Sequence, residues 1–144
     1  MDSLLEQLVK NAPDALLISD REGVIRYWNN GAELIFGHTA AEAVGQSLDL
    51  IIPENLRSRH WEGYWRVMAS GETKYKTGLL SSPGIRKDGS RVSLEFSMVL
   101  LHDEGGAMAG CASIMRDVSE RWHKEKELKE RLTACEAKLP KAAN

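Results

Sequence analysis

The sequence predicts a single α+β domain carrying a helix at each end, and three patterns carry that reading. Val92, Leu94, Phe96, Met98 and Leu100 alternate with Ser93, Glu95 and Ser97, the period of two expected of a strand with one buried and one wet face. Leu56, His60, Tyr64, Val67 and Met68 recur at helical spacing and share one face. From Val118 onward the composition turns to Glu, Lys, Arg and Leu, and Leu128, Leu132, Cys135 and Leu139 follow one another at heptad spacing. A chain of 144 residues is long enough for one core and too short for two ordinary domains.

Taken in order, Leu4, Leu5 and Leu8 mark an amphipathic helix over residues 1–11, which Pro13 ends because the residue before a proline avoids the helical region. Residues 12–118 then form the globular part. Ala15 to Ser19 and Val24 to Trp28 read as two strands of a hairpin, joined by Asp20-Arg21-Glu22-Gly23. Asn29-Asn30-Gly31 breaks the second strand, and Ala32, Leu34, Ile35 and Phe36 make a short helix that Gly37 terminates. Thr39 is the expected N-cap of the next helix, Ala40 to Val44. Pro53 is expected to open the longer helix of His60, which Ser70-Gly71 stops. Three further strands are expected near Lys74 to Leu80, Arg91 to Leu101 and Met108 to Met115, with turns at Asp88-Gly89 and Glu104-Gly105-Gly106. Residues 119–139 form the C-terminal helix and 140–144 a tail; about three heptads are marginal alone, so this helix pairs across a dimer or continues into a longer protein.

Composition excludes several classes of function. Nineteen basic against twenty-one acidic residues, without a basic stripe, argue against direct nucleic-acid binding. Two cysteines, Cys111 and Cys135, without metal-ligand spacing fit a reducing, cytoplasmic setting. No apolar run approaches the roughly 20 residues that span a bilayer, and the acidic N-terminus does not read as a signal peptide. No nucleophile elbow, phosphate loop, His-Glu-x-x-His or zinc cysteine pair is present, so an enzyme is not expected.

The order of elements and three local sequences resemble the PAS family. Gly23 to Glu33 (GVIRYWNNGAE) is similar to that family's second strand and first helix, Arg86-Lys87-Asp88-Gly89-Ser90 to its hairpin, and Arg116 to Arg121 (RDVSER) to its exit motif. The resemblance implies an α+β PAS fold: a five-stranded antiparallel sheet, a helical cluster over one face, flanking terminal helices and a ligand cavity between cluster and sheet. Such a domain senses a ligand and transmits the change through its terminal helices in a homodimer, to a kinase, cyclase or regulator output. Asp117 and Arg121 fall in the motif that joins the last strand to the output helix.

Within that family, Arg57-Ser58-Arg59-His60 and Met68-Ala69-Ser70-Gly71-Glu72 resemble the corresponding helix of FixL-type haem domains, and His60 keeps its spacing to Asp88-Gly89. This resemblance implies haem b, with His60 as the proximal iron ligand and Arg66 near a propionate. Tyr64, Tyr75, Leu80, Phe96 and Met98 would line the site. Leu80 stands where the oxygen sensors carry an arginine, and an aliphatic side chain cannot hydrogen-bond to bound oxygen; Met98 offers a thioether as a possible distal ligand in gas or redox sensing. A flavin photoreceptor is disfavoured because residues 32–69 contain no cysteine. The alternatives are a small apolar ligand, or no ligand at all and a module that only dimerises or docks a partner. Trp28, Trp61, Trp65 and Trp122 suit a cavity wall or a dimer surface as well as a plain core.

Overall fold

In a computed structural model of the chain, residues 2–73 and 78–140 are described. Its elements are α1 (Asp2–Asn11), β1 (Ala15–Asp20), β2 (Ile25–Trp28), α2 (Asn30–Phe36), α3 (Ala40–Ala43), α4 (Arg57–Ser70), β3 (Leu80–Ile85), β4 (Arg91–His102), β5 (Met108–Asp117) and α5 (Ser119–Ala137), with single 3-10 turns at Leu48–Ile51 and Glu54–Leu56. The five strands form one antiparallel sheet in the order β2-β1-β5-β4-β3.

The short helices are set by their caps. Thr39 caps α3 through a capping box, its hydroxyl accepting from the Glu42 amide while the Glu42 carboxylate accepts from the Thr39 amide. Gly71 ends α4 at φ 70°, in the left-handed region, and its amide donates to the Val67 carbonyl. The expectation that Pro53 opens the long helix is corrected: Pro53 leads into the 3-10 turn, and α4 begins only at Arg57, so Leu56 precedes the helix.

The expected strand over Lys74 to Leu80 is also corrected. Residues 74–77 lie outside the described residues, Gly78 and Leu79 are not in a strand, and β3 runs from Leu80 through Pro83 to Ile85. Pro83 is tolerated because β3 pairs only with β4 and sits at the sheet edge, where a missing amide breaks no second ladder.

The main core lies between α2, α3, the 3-10 turns and the inner sheet face. Leu17, Ile25, Trp28, Phe36, Ile51, Val92 and Leu94 are buried there, each worth roughly 1.5–3 kcal/mol of removed apolar surface. Trp28 packs against Phe36 at 5.4 Å between ring centroids and donates from Nε1 to the His38 carbonyl. The outer sheet face is less polar than the alternation in β4 predicts: Leu16 pairs with Ile114, Ile18 with Ala112 and Ala112 with Val99, and Ile114 and Val99 are exposed. Helices α1 and α5 bury no residue, and Leu4, Leu5, Leu8, Leu128 and Leu132 are all more than half exposed.

A candidate ligand site between the long helix and the sheet

Helix α4 meets the sheet through an aromatic cluster. The imidazole of His60 lies 4.7 Å from the Trp61 ring and 5.7 Å from the Tyr64 ring, centroid to centroid, and Trp61 stacks on Trp65 at 5.1 Å. The face is fixed by hydrogen bonds at both ends. Trp61 Nε1 donates to Asp49 Oδ1 at 2.7 Å, while Arg57 donates to the Ile52 and Asp49 carbonyls, so the Leu48–Ile51 turn is stitched to the start of the helix. One turn on, the Tyr64 hydroxyl donates to the Asp20 carbonyl and lies 2.9 Å from Ser19 Oγ on β1. Burial beside this network pushes the Tyr64 phenol up to about 12.

His60 is half-buried, and its Nδ1 is enclosed with no hydrogen-bond partner. Burial disfavours the imidazolium and holds the pKa below its ordinary value against the opposing pull of the Asp49 carboxylate. At neutral pH the ring is therefore neutral and keeps a lone pair available, which an iron ligand or a hydrogen-bond acceptor requires.

The other expected site residues divide. Tyr64 and Phe96 pack against the main core, and Met98 packs with Leu100 against a second cluster of Met68, Met108 and Cys111. Leu80 is the first residue of β3 and pairs with Phe96. Arg66 lies on the exposed side of α4, where its guanidinium meets Glu62 at 3.4 Å. Tyr75 lies outside the described residues. Cys111 is buried and its thiol is pushed up by burial, whereas Cys135 is exposed on α5. Among the described residues no group of three or more His, Cys, Asp or Glu side chains is placed to hold a metal ion, and no helix is long and apolar enough to cross a membrane.

At the exit from the sheet, Asp117 accepts from the Ser119 amide and from Arg86, whose guanidinium also reaches the Ile35 and Arg91 carbonyls. These contacts lower the Asp117 pKa against the opposing effect of its burial. Arg121, in the first turn of α5, pairs with Glu95 on β4. Both positions therefore tie α5 to the β3–β4 pair.

Two residues gain a place here that the sequence alone did not suggest. Asn29, 1% exposed, accepts through Oδ1 from the Leu16 and Ala32 amides and donates through Nδ2 to the carbonyls of Val9, Ala12 and Asp14. Its spacing of three to Ala32 is an N-cap signature, but the three carbonyls come from α1 and from the segment that leads into β1. Asp49, in a turn with no periodicity, becomes the acceptor that orients Trp61.

The protein-family model for the PAS fold matches residues 9–123. Among curated proteins, the chain is 36% identical over 109 residues to an uncharacterized protein of Azorhizobium caulinodans, covering 75% of this chain and 15% of that one. It is 27% identical to the sensor protein FixL of Bradyrhizobium diazoefficiens, covering 88% of this chain and 25% of that protein. It is 26% identical to the oxygen sensor protein DosP of Escherichia coli, covering 90% of this chain and 16% of that protein. The chain thus spans a quarter or less of the length of these relatives. Among solved structures, the PAS domain of a Colwellia psychrerythraea protein superposes with a TM-score of 0.71 at 20% identity, covering 82% of this chain and 97% of that one. With a family match over most of the chain and the five-stranded sheet in place, the chain belongs to the PAS family and is a PAS sensory domain.

Proposed function

We propose that this domain senses a small ligand held between α4 and the inner face of the sheet, with His60 as the contact base. The observation that carries the reading is the buried, unpartnered Nδ1 of His60 on a ring kept neutral by burial. A buried polar atom without a partner is uncommon and is explained when a ligand completes it or reorients the ring.

Haem b is the ligand we favour. The donor chemistry fits: one neutral imidazole, with the apolar side chains of Phe96, Met98 and Leu100 on the inner sheet face to exclude water. The likeness to FixL and to DosP, a sensor and an oxygen sensor by name, supports the same choice. His60 would hold the iron, Phe96 and Leu80 would line the pocket from the sheet, and Arg66 would turn from Glu62 toward a propionate. When bound, haem supplies an iron that takes a diatomic gas or changes oxidation state. Leu80 would offer no hydrogen-bond donor to a gas held there, and Met98 would offer a thioether donor, a pair suited to carbon monoxide or redox sensing.

The signal would leave through the polar ties at Asp117 and Arg121 to α5. The exposed leucines of α1 and α5 and the apolar outer sheet face support a homodimer in which that motion is read by a kinase, cyclase or regulator output.

A second reading, a cofactor-free dimerisation module, is favoured by Tyr64. Its hydroxyl bonds to β1, and its ring packs against both apolar clusters, as a side chain filling a ligand-free core does. Absorption spectra of protein expressed with a haem precursor, in ferric, reduced and carbon-monoxide-treated states, separate the two. A Soret band lost in His60→Ala supports the haem sensor, and a change to five-coordinate spectra in Met98→Leu supports the distal thioether. No Soret band in the parent protein rejects haem and leaves the second reading or an apolar ligand.

A further inference from the structure

The second apolar cluster is built from sulfur. Met68 on α4 and Met108 and Cys111 on β5 make up its buried part, with Tyr64, Val67, Met98 and Leu100 packed around them. Three of the five methionines and one of the two cysteines of the chain therefore converge on one spot. A single methionine is an ordinary gap-filler, but gap-filling does not call for a thiol and two thioethers as the whole buried part of a cluster. The cluster lies beneath the C-terminal end of α4: a Cβ at Gly71, the residue that caps that helix, would stand 3.8 Å from the Sδ of Met108. The negative end of a helix dipole favours a cation there.

We propose that Met68, Met108 and Cys111 form a binding site for one soft monovalent metal ion of the Cu(I) class. Thiolate and thioether sulfur are the donors that select Cu(I) over harder ions. On binding, the Cys111 S–H bond breaks, a sulfur–metal bond forms, and the proton leaves to solvent; no electron is transferred. Burial keeps the metal-free thiol protonated, and exchanging H⁺ for M⁺ leaves the buried site without net charge. A divalent ion would bury an extra positive charge, and among the described residues no group of His, Cys, Asp and Glu is placed to offset it. The site shares no proposed ligand with the haem reading, although Tyr64 and Met98 of that reading pack against it.

The test uses the full chain carrying Cys135→Ser, expressed without haem precursor, titrated anaerobically with Cu(I) held by a chromogenic competing chelator. One equivalent is expected to bind, with zinc giving none. Cys111→Ser should weaken binding at least 100-fold, and Met68→Leu and Met108→Leu, which conserve volume, at least tenfold each. Binding lost with Cys135→Ser alone, unchanged in Cys111→Ser, or unchanged in both methionine variants overturns the site. As a check that changes none of the three proposed ligands, one equivalent of Ag(I) should protect Cys111 from a thiol reagent in the Cys135→Ser protein; undiminished labelling overturns the proposal as well.

Discussion

Replacing Asn29 should be among the most damaging single changes in the chain, because one side chain closes the junction of α1, β1 and α2. Its Oδ1 faces two amides, Leu16 N at 2.8 Å and Ala32 N at 2.9 Å, and its Nδ2 faces three carbonyls at 2.9, 3.0 and 3.3 Å. With two N–H bonds for three acceptors, one contact is shared, and the 3.3 Å bond to Ala12 is the longest. In Asn29→Ala, loss of the α2 cap costs about 1 kcal/mol. Orphaning the Leu16 amide and the carbonyls adds about 1 kcal/mol for each group that water cannot reach. The sum is about 3–4 kcal/mol, or a fall in Tm of about 12 °C for a domain of this size. Asn29→Asp should be worse than alanine above neutral pH, since a buried carboxylate would point oxygen at three carbonyl oxygens. Urea unfolding followed by circular dichroism measures both, the midpoint shifting while the slope stays constant. A loss under 1 kcal/mol for alanine, or an aspartate variant as stable as the parent, would refute the junction argument.

Two further outcomes follow from the aromatic cluster. Gly23→Ala should destabilise the domain by more than 2 kcal/mol and alter tryptophan fluorescence: at φ 77° a Cβ is strained, and it would lie 2.2 Å from the Trp61 ring, itself held by Asp49. Because the folded pKa of His60 is lowered, the unfolded chain takes up the proton first as pH falls. The stability that the neutral ring contributes is present above the unfolded value near 6.5 and is lost as pH falls from there toward the folded pKa. Urea midpoints at pH 7.5 and 5.5 should therefore differ less in His60→Phe than in the parent; an equal difference removes His60 from the pH response.

What the sequence made legible were elements whose own residues specify them. The alternation from Val92 to Leu100 gave β4, Thr39 gave the N-cap of α3 though not the box it forms with Glu42, and Gly71 gave the end of α4. β3 was misplaced because Ser81-Ser82-Pro83-Gly84 carries no strand propensity; it is extended because β4 offers it a ladder, and among the described residues no strand lies beyond it. His60 could be singled out by spacing, but its lack of a partner could not, since that depends on Asp49 bonding Trp61 instead. Arg66 kept its position on the helix, yet its partner is Glu62 on the same exposed side. The junction at Asn29 was hidden for a simpler reason: the pattern reveals a cap, while the carbonyls it collects come from residues up to 20 positions away.

The two ends of the domain leave the sheet side by side. Ala15, at the start of β1, pairs with Met115 near the end of β5, and just outside them Arg116 clasps Asp14 through two bonds of 3.1 and 3.0 Å. Tension applied through flanking segments would thus load the central β1–β5 ladder from one end, peeling it rung by rung rather than shearing all rungs together. Once the ties of Asn29 to α1 and of Arg121 to β4 have given way, the Asp14–Arg116 clasp is the fastening at the mouth of that ladder, so the sheet would unzip at low force and re-zip from the far end, a property suited to a link in a tandem chain.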